Sequence, residues 1–309
     1  MNLMKRHLLT LYTRSPLHVG SGTSVDVVDL PIMRERITGF PVIPSSSLKG
    51  VLREHGRSAK NPNGEPLLNE DQVRLLFGED RKLNEQAGIS AHAGCVQIME
   101  AKLLAFPVRS LAGCFAWLTC PAALHRFQRD TGISVTIPAK LAPEHAIAGA
   151  DLLVPGRNEI VLEEYALDIE PGTGPQTAAE SAGKLRTLST DTLWINEISQ
   201  RLAVVHDENF QHFVTSCTEV VSRIAIDPGT RTNSGGALFN QENVPCEALF
   251  YSVLHILPAR KPGATGDAHL NLTRLLNHAK LLQIGGDETT GLGICETKHQ
   301  ALVDDTEAQ

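Results

Sequence analysis

"GCVQIMEAKLLAFPVRSLAGCFAWLTCPAALHRFQRDTG" (94–132) carries two apolar runs, 94–106 and 113–120, followed by a segment headed by Pro121 and closed by Gly132. The runs have the length and composition of neighbouring strands joined by "PVRSLA". Proline is tolerated at the first helical position and glycine ends helices, so 121–132 is expected to be a helix. Upstream, "RHLLTLYTRSPLHVG" (6–20) alternates around Leu9, Leu11 and Thr13, which predicts a first strand running into a glycine loop. "FPVIPSSSLKGVLREHGR" (40–57) sets serines after Pro44 and puts Leu48, Val51 and Leu52 on one helical face. A short helix over 71–78 ends at Gly78. The order strand, helix, insert, strand, strand, helix opens a ferredoxin-like unit.

Beyond residue 132 the character changes. Residues 138–187 hold Pro138, Pro143, Pro155, Pro171 and Pro175 among many Gly, Ala and Glu. "DLLVPGRNEIVLEEYAL" (151–167) predicts a strand pair turning at Pro155–Gly156. "EPGTGPQTAAESAG" (170–183) is polar enough to be expected as a mobile arm. Helix is expected over 190–200, strand over 201–206, and a helix running into a strand over 207–227. An apolar strand (246–257), an amphipathic helix (267–286) and a last strand (291–299) follow. The fold class is α+β: two elaborated ferredoxin-like units in one body, residues 1–309, with an insert near the middle.

The composition narrows the function classes. Hydrophobic residues are 42% and charged residues 20% of 309, as in soluble globular proteins. Aromatics are only 5%, which argues against an RNA face built mainly on base stacking. Net charge is −7, yet residues 1–60 hold nine Lys/Arg against four acids, a local +5 that leaves about −12 elsewhere. A polyanion would meet the N-terminal part. The six cysteines show neither CxxC nor zinc-like spacing with histidine, and they predict reduced thiols. With no signal-peptide pattern and no apolar run approaching a membrane span, the expected location is cytoplasmic.

Several short motifs carry chemistry. "PSSSLKG" (44–50) joins three hydroxyls, helix N-terminal N–H groups and Lys49, a combination suited to phosphate, without the spacing of a nucleotide P-loop. A small-molecule phosphoryl enzyme would use the same turn. "GSG" (20–22) and "IGGDETTGLG" (284–293) allow close backbone approach, to a ligand or within a plain turn. His18 with Asp29 or Asp26 is a candidate acid–base or metal-associated pair. "RER" (34–36), if extended, puts Arg34 and Arg36 on one face, able to grip phosphates or pair with acids.

The combination "SPLHVGSG" (15–22) and "VVDLPIMRERITGFPVIPSSSLKGVLR" (27–53) resembles the N-terminal signature of the RAMP superfamily of CRISPR proteins. Within it the resemblance is to the repeated backbone subunits of type III-B (Cmr) RNA-guided effector complexes. It continues through "LFGED" (76–80), "AGCVQIMEAKLLAFPVRSLAG" (93–113), "EVVSRIAID" (219–227), "GGALFNQENVP" (235–245) and "GGDETTGLG" (285–293), nearly the whole chain in order.

That resemblance implies an RRM-like palm, a fingers insertion over about 55–92 and a projecting β-hairpin thumb over 138–187. It implies copies of the chain stacked with other Cmr subunits along a guide RNA, and endoribonucleolytic cutting of complementary target RNA at regular intervals. The cut uses a divalent metal, Mg2+ or Mn2+, and the ribose 2′-hydroxyl. Asp29 matches the catalytic aspartate and candidate metal holder, Asp26 falls at a variable position, and His18 matches the accessory histidine. Ser45, Ser46, Ser47, Lys49 and Arg53 fall at the guide-contacting turn, and Gly285, Gly286, Gly291 and Gly293 in the guide-cradling loop. One departure stands out. Where many members carry Tyr-Glu after "GAL[WF]", this chain has Asn240 and Gln241, with Glu242 next. A cleavage-silent, guide-binding filament subunit is therefore the alternative.

Overall fold

A computed structural model describes residues 5–23, 27–79, 92–138, 141–226, 229–231, 233–260 and 266–302. Asp26, and residues 80–91 of the expected fingers insertion, lie outside the described residues.

Strand β1 (Lys5–Thr13) is central. It pairs antiparallel with β12 (Leu249–Ile256) on one side and β14 (Ile294–Leu302) on the other. The other members of this twelve-stranded sheet are β2 (Val42–Ile43), β3 (Val96–Ile98), β4 (Ala101–Arg109), β5 (Phe115–Thr119), β6 (His145–Ala148), β7 (Glu159–Leu162), β8 (Tyr165–Ile169), β9 (Leu202–Val205) and β13 (Leu281–Gln283). Leu9 and Leu11 of β1 enter one core while Leu8 and Tyr12 enter another, because successive side chains leave opposite faces of a strand. Helices cover both faces, so β1 is buried over seven consecutive residues instead of alternating.

On the first face lie α1 (Ser45–Ser58), α2 (Glu70–Phe77), α6 (Asp207–Ser216) and α7 (Ala268–His278); on the second, α4 (Pro175–Leu185) and α5 (Thr192–Arg201). Helix α3 (Pro121–Thr131) begins with its proline and is followed by Gly132 as expected, and it gives Ala123 to the first core and Leu124 and Phe127 to the second. Asn69 and Gln72 form a capping box that starts α2.

The structure departs from the sequence expectations in four places. The run 94–106 breaks into β3 and β4, which bond to different stretches of β12, Leu254–Ile256 and Leu249–Tyr251, the second with a register shift at Leu249/Phe250. The 267–286 segment leaves the helix at His278 and continues as β13. The strand pair near 151–167 is β7–β8, and it turns at Glu163–Glu164, with Glu163 at φ 51°, while Pro155–Gly156 forms a separate turn before it.

The largest departure concerns 138–187. This segment contributes β6, β7 and β8 to the large sheet, and 175–185 is the helix α4, with Ala178, Ser181, Ala182 and Leu185 buried. The small residues let α4 lie closely on β6 and β9 despite its polar average. A different segment forms a two-stranded sheet of its own outside the large sheet, the hairpin of β10 (Glu219–Ile226) and β11 (Asn233–Asn243).

Candidate nucleic-acid interface

The foot of the β10–β11 hairpin fixes the "LHVGSG…VVDLP" region. Leu17 and Val244 exchange backbone hydrogen bonds of 2.8 and 2.9 Å. Further along, Leu30 N donates to Asn240 O and Glu242 N donates to Leu30 O, each at 3.0 Å. This short parallel bridge brings Asp29 beside β11, where its Oδ2 accepts the Asn240 backbone N–H at 2.7 Å. Asp29 is exposed, and its Oδ1 has no partner among the described residues. The carboxylate is thus oriented by one oxygen and open at the other.

Glu242 is the buried clamp of this arrangement. Its carboxylate pairs with Arg34 at 2.5 Å and accepts from the Ile32 N–H at 3.0 Å and the Thr218 hydroxyl at 2.8 Å. Arg34 also donates to the carbonyls of Gly39 and Val214. Arg36, by contrast, stands exposed in the following turn. The two arginines do not share a face, because the chain turns at 36–38 instead of remaining extended.

His18 is buried, and its Nδ1 lies 2.7 Å from the Glu242 carbonyl oxygen. A carbonyl only accepts, so Nδ1 carries the proton and Nε2 is the free ring nitrogen. A Cβ on Gly20 would stand 2.8 Å from that Nε2, so the glycine leaves the ring room. The glycine-rich loop packs beneath. Gly286 N–H donates to the His18 carbonyl at 2.9 Å, and a Cβ on Gly285, at φ 85°, would lie 2.1 Å from the same oxygen. The close approach sensed in "IGGDETTGLG" is therefore at least to this chain's own backbone. Asp287 extends the network, accepting from Gln241 Nε2 at 2.7 Å. Gly291 and Gly293 sit at the far end of the loop, where Gly293 N–H donates to the Pro16 carbonyl.

The serine turn is placed differently. Pro44 is the N-cap of α1 and no side chain caps the helix. Ser45 and Ser46 are exposed, and Ser47 and Lys49 are half-buried. The first N–H groups and the serine hydroxyls thus remain available to an anion. Burial, followed by the neighbouring Arg53, lowers the Lys49 pKa below the usual lysine range. Arg53 itself donates to the Phe77 carbonyl at 2.6 Å and braces α1 against the end of α2. The basic N-terminal set is also less free than its count implies. Arg14 pairs with Asp191 and Glu296, Arg34 with Glu242, and Arg57 with Glu70. Arg36, Lys49 and Lys60 have no ion pair among the described residues.

Among the described residues, no three His, Cys, Asp or Glu side chains form a set that could enclose a metal ion. Asp29 offers one open oxygen, and His18 is turned to a carbonyl, so the described residues build no dedicated cage. That donor set matches only an ion completed by other ligands, as Mg2+ is when shared between one carboxylate and phosphates. No helix among the described residues is long and apolar enough to cross a membrane.

A model of the RAMP superfamily matches residues 10–296, so the chain belongs to that superfamily. The chain is also 37% identical to the "CRISPR system Cmr endoribonuclease Cmr4" of Pyrococcus furiosus over 94% of each chain, which places it in the Cmr4 family. The crystal structure of oligomeric Cmr4 from the same organism superposes with a TM-score of 0.71 at 30% identity, covering 97% of this chain and 100% of that one. A subunit of the type III-B Cmr-beta complex bound to cognate target RNA has the same fold, with a TM-score of 0.71 at 20% identity over 95% of this chain and 96% of that one.

Motif reasoning singles out Asp29 and His18 as candidates but not what holds them. The Asn240 N–H, the Glu242 clamp and the Gln241–Asp287 link all come from "NQEN", more than two hundred residues downstream. No local pattern announces them. The only signal is four consecutive polar residues in a strand otherwise flanked by apolar ones.

Proposed function

We propose that this chain is the repeated backbone subunit of a type III-B effector complex, binding guide RNA and cleaving complementary target RNA. The exposed, backbone-oriented carboxylate of Asp29 at the foot of the hairpin carries this reading. Assembly with further copies and other Cmr subunits follows from the family and from the oligomeric relative. The projecting thumb is assigned to β10–β11, the hairpin that stands outside the large sheet, and not to 138–187.

In the cleavage step, Asp29 accepts the hydrogen bond, and then the proton, of the ribose 2′-hydroxyl. The 2′-oxygen bonds to phosphorus as the bond to the 5′-oxygen breaks, and the 5′-oxygen takes a proton from solvent water, leaving a cyclic phosphate and a 5′-hydroxyl while Asp29 returns its proton to solvent. Asn240 N–H holds one carboxylate oxygen so that the other faces substrate. His18 supports the loop from beneath. A divalent cation, Mg2+ or Mn2+, held jointly by Asp29 and RNA phosphates, would neutralise charge on the phosphate oxygens. Guide RNA is assigned to the uncapped start of α1, with Ser45, Ser46, Ser47 and Lys49.

The cleavage-silent alternative is favoured by one observation. Asn240 supplies a backbone N–H, Gln241 is tied to Asp287 and Glu242 is buried, so none of the three offers a second catalytic group. The deciding experiment is Asp29→Ala in the complex reconstituted with guide RNA. Cleavage at every site should fall at least about a hundredfold with guide retention unchanged. Undiminished cutting would remove Asp29 from the chemistry, and a wild-type complex that binds target without cutting it, with Mg2+ or Mn2+ present, would establish the silent reading.

A further inference from the structure

Two charged surfaces lie on opposite sides of the large sheet, and the first adjoins the site above through Thr218, whose hydroxyl bonds Glu242. The first is a groove of about 360 Å³ where the β7–β8 turn meets the C-terminal end of α6, lined by Glu163, Glu164, Tyr165, His212, Phe213 and Ser216 among others. Glu164 is exposed and has no partner among the described residues. Glu163 pairs with Arg109 at 2.8 Å, and that arginine is itself largely exposed. Tyr165 is 42% exposed and meets His212 and Phe213 edge-on. Helix α6 has no basic residue of its own in its last turn, and the Val214 carbonyl there already accepts from Arg34. Carboxylates and an open phenol ring together favour a guanidinium or an ammonium group.

The second surface ends helix α4. Lys184 and Arg186 are exposed there without a partner among the described residues. Lys298 of β14 lies close by, beside Thr187 and Leu188. The two surfaces face opposite ways. Helix α6 buries Phe210, Phe213 and Val214 in the first core, and α4 buries Ala178, Ala182 and Leu185 in the second.

We propose that the groove receives Lys184 and Arg186 of a second copy of this chain, joining copies head to tail. The inference rests on the assembly reading given above and names its joint. Contact between unlike, opposite faces need not close on itself, so it repeats along a filament. Charges matched in this way fix register as well as adding attraction.

The test is sedimentation of the chain on single-stranded RNA long enough for several copies. Glu163→Lys with Glu164→Lys, and separately Lys184→Glu with Arg186→Glu, should each weaken multi-copy assembly at least about tenfold. Binding of the first copy and thermal melting should be unchanged. Mixing the two variants in equal amounts should restore assembly, because each then meets an opposite charge on both faces. Either variant assembling as wild type does, or a mixture that stays dispersed, overturns the joint while leaving the assembly reading intact. First-copy binding lost in Lys184→Glu/Arg186→Glu overturns it too, moving those residues to RNA contact. Wild-type chain that never exceeds one copy per RNA overturns the assembly reading itself, and the joint with it. Should a charge reversal unfold the chain, Glu164→Gln applies the same criteria.

Discussion

The hairpin β10–β11 and the segment 141–188 meet solvent in opposite ways. The segment is rich in proline, glycine and glutamate, yet its strands complete one end of the large sheet and its helix buries Ala178, Ala182 and Leu185. The hairpin holds Val220, Val221, Ile224 and Leu238 at 54%, 43%, 51% and 62% exposure. Ile224 sits opposite Leu238, so an apolar cross-strand pair stands in water on a two-stranded sheet. Such a hairpin is marginal on its own, and its apolar surface adds nothing to the core. Burial thus marks the segment as scaffold, and exposure leaves the hairpin as the part available to a partner.

The joint between them and the rest of the molecule gives the largest expected effect. Glu242 sits where the hairpin meets the 30–34 strip, paired with Arg34 and bonded to Ile32 and Thr218. Glu242→Ala leaves Arg34 without its carboxylate in a largely enclosed site, a change that costs about 3–5 kcal/mol when such a pair is fully buried. Arg34 keeps some solvent contact, so the lower end of that range is expected. Amide exchange should show protection lost in 17–34 and 219–243 before it is lost in β1. Uniform loss of protection would mean that the hairpin is not a separable unit.

Leu185→Ala loads the other side of the comparison. Leu185 is fully buried under α4, and its truncation should cost about 2–5 kcal/mol in denaturant unfolding, with hairpin exchange unaffected at low denaturant. A cost below about 1 kcal/mol would return this segment to the status of a loose arm.

Much of the large sheet was legible in sequence because its signals are local. Pro121 and Gly132 bracket α3, the apolar strand over 246–257 announces itself, and the last strand expected over 291–299 forms at Ile294–Leu302. The expectation of a mobile arm where the structure has a packed helix has a physical cause. Average polarity hides the face of α4, where the buried positions are mostly alanine and serine and the exposed ones carry glutamate and lysine. The hairpin in turn has the apolar content of a core strand. On the site side, "VVDLP" and "PLHVGSG" are compact motifs. Their support is formed by backbone groups of β11 and by Gly285, contacts that exist only after the fold closes.

Acid loads the large sheet without loading the hairpin. His7 of β1 is buried, and burial, followed by the charges of His269, His299 and Lys5, lowers its pKa from 6.5 to about 4. Its Nε2 lies 3.1 Å from His269 Nδ1 on α7. The unfolded chain takes up a proton at this residue below about pH 6.5 while the folded chain does so only near 4, so stability is full above 6.5 and falls as pH drops between the two values. The loss from this residue approaches about 3 kcal/mol by pH 4. His299 and His55, also lowered chiefly by burial, add in the same direction. His7→Leu should flatten the slope of stability against pH between 4 and 6.5. An unchanged slope would place the acid sensitivity elsewhere.

The smallest stability effect is expected at the hairpin, and it is the one that separates a partner-facing surface from a badly packed one. Ile224→Ser with Leu238→Ser removes apolar side chains that are already about half in water or more, so the unfolding free energy should stay within about 0.5 kcal/mol of wild type. The same pair, if it meets the guide–target duplex, should weaken target binding by the reconstituted complex and blur the spacing of the cuts. Both measurements are needed on one variant. Lower stability with unchanged binding would mean that Ile224 and Leu238 support the fold through contacts within the chain. Unchanged stability with altered cutting would show a hairpin whose apolar pair is held out of the core for the sake of the RNA.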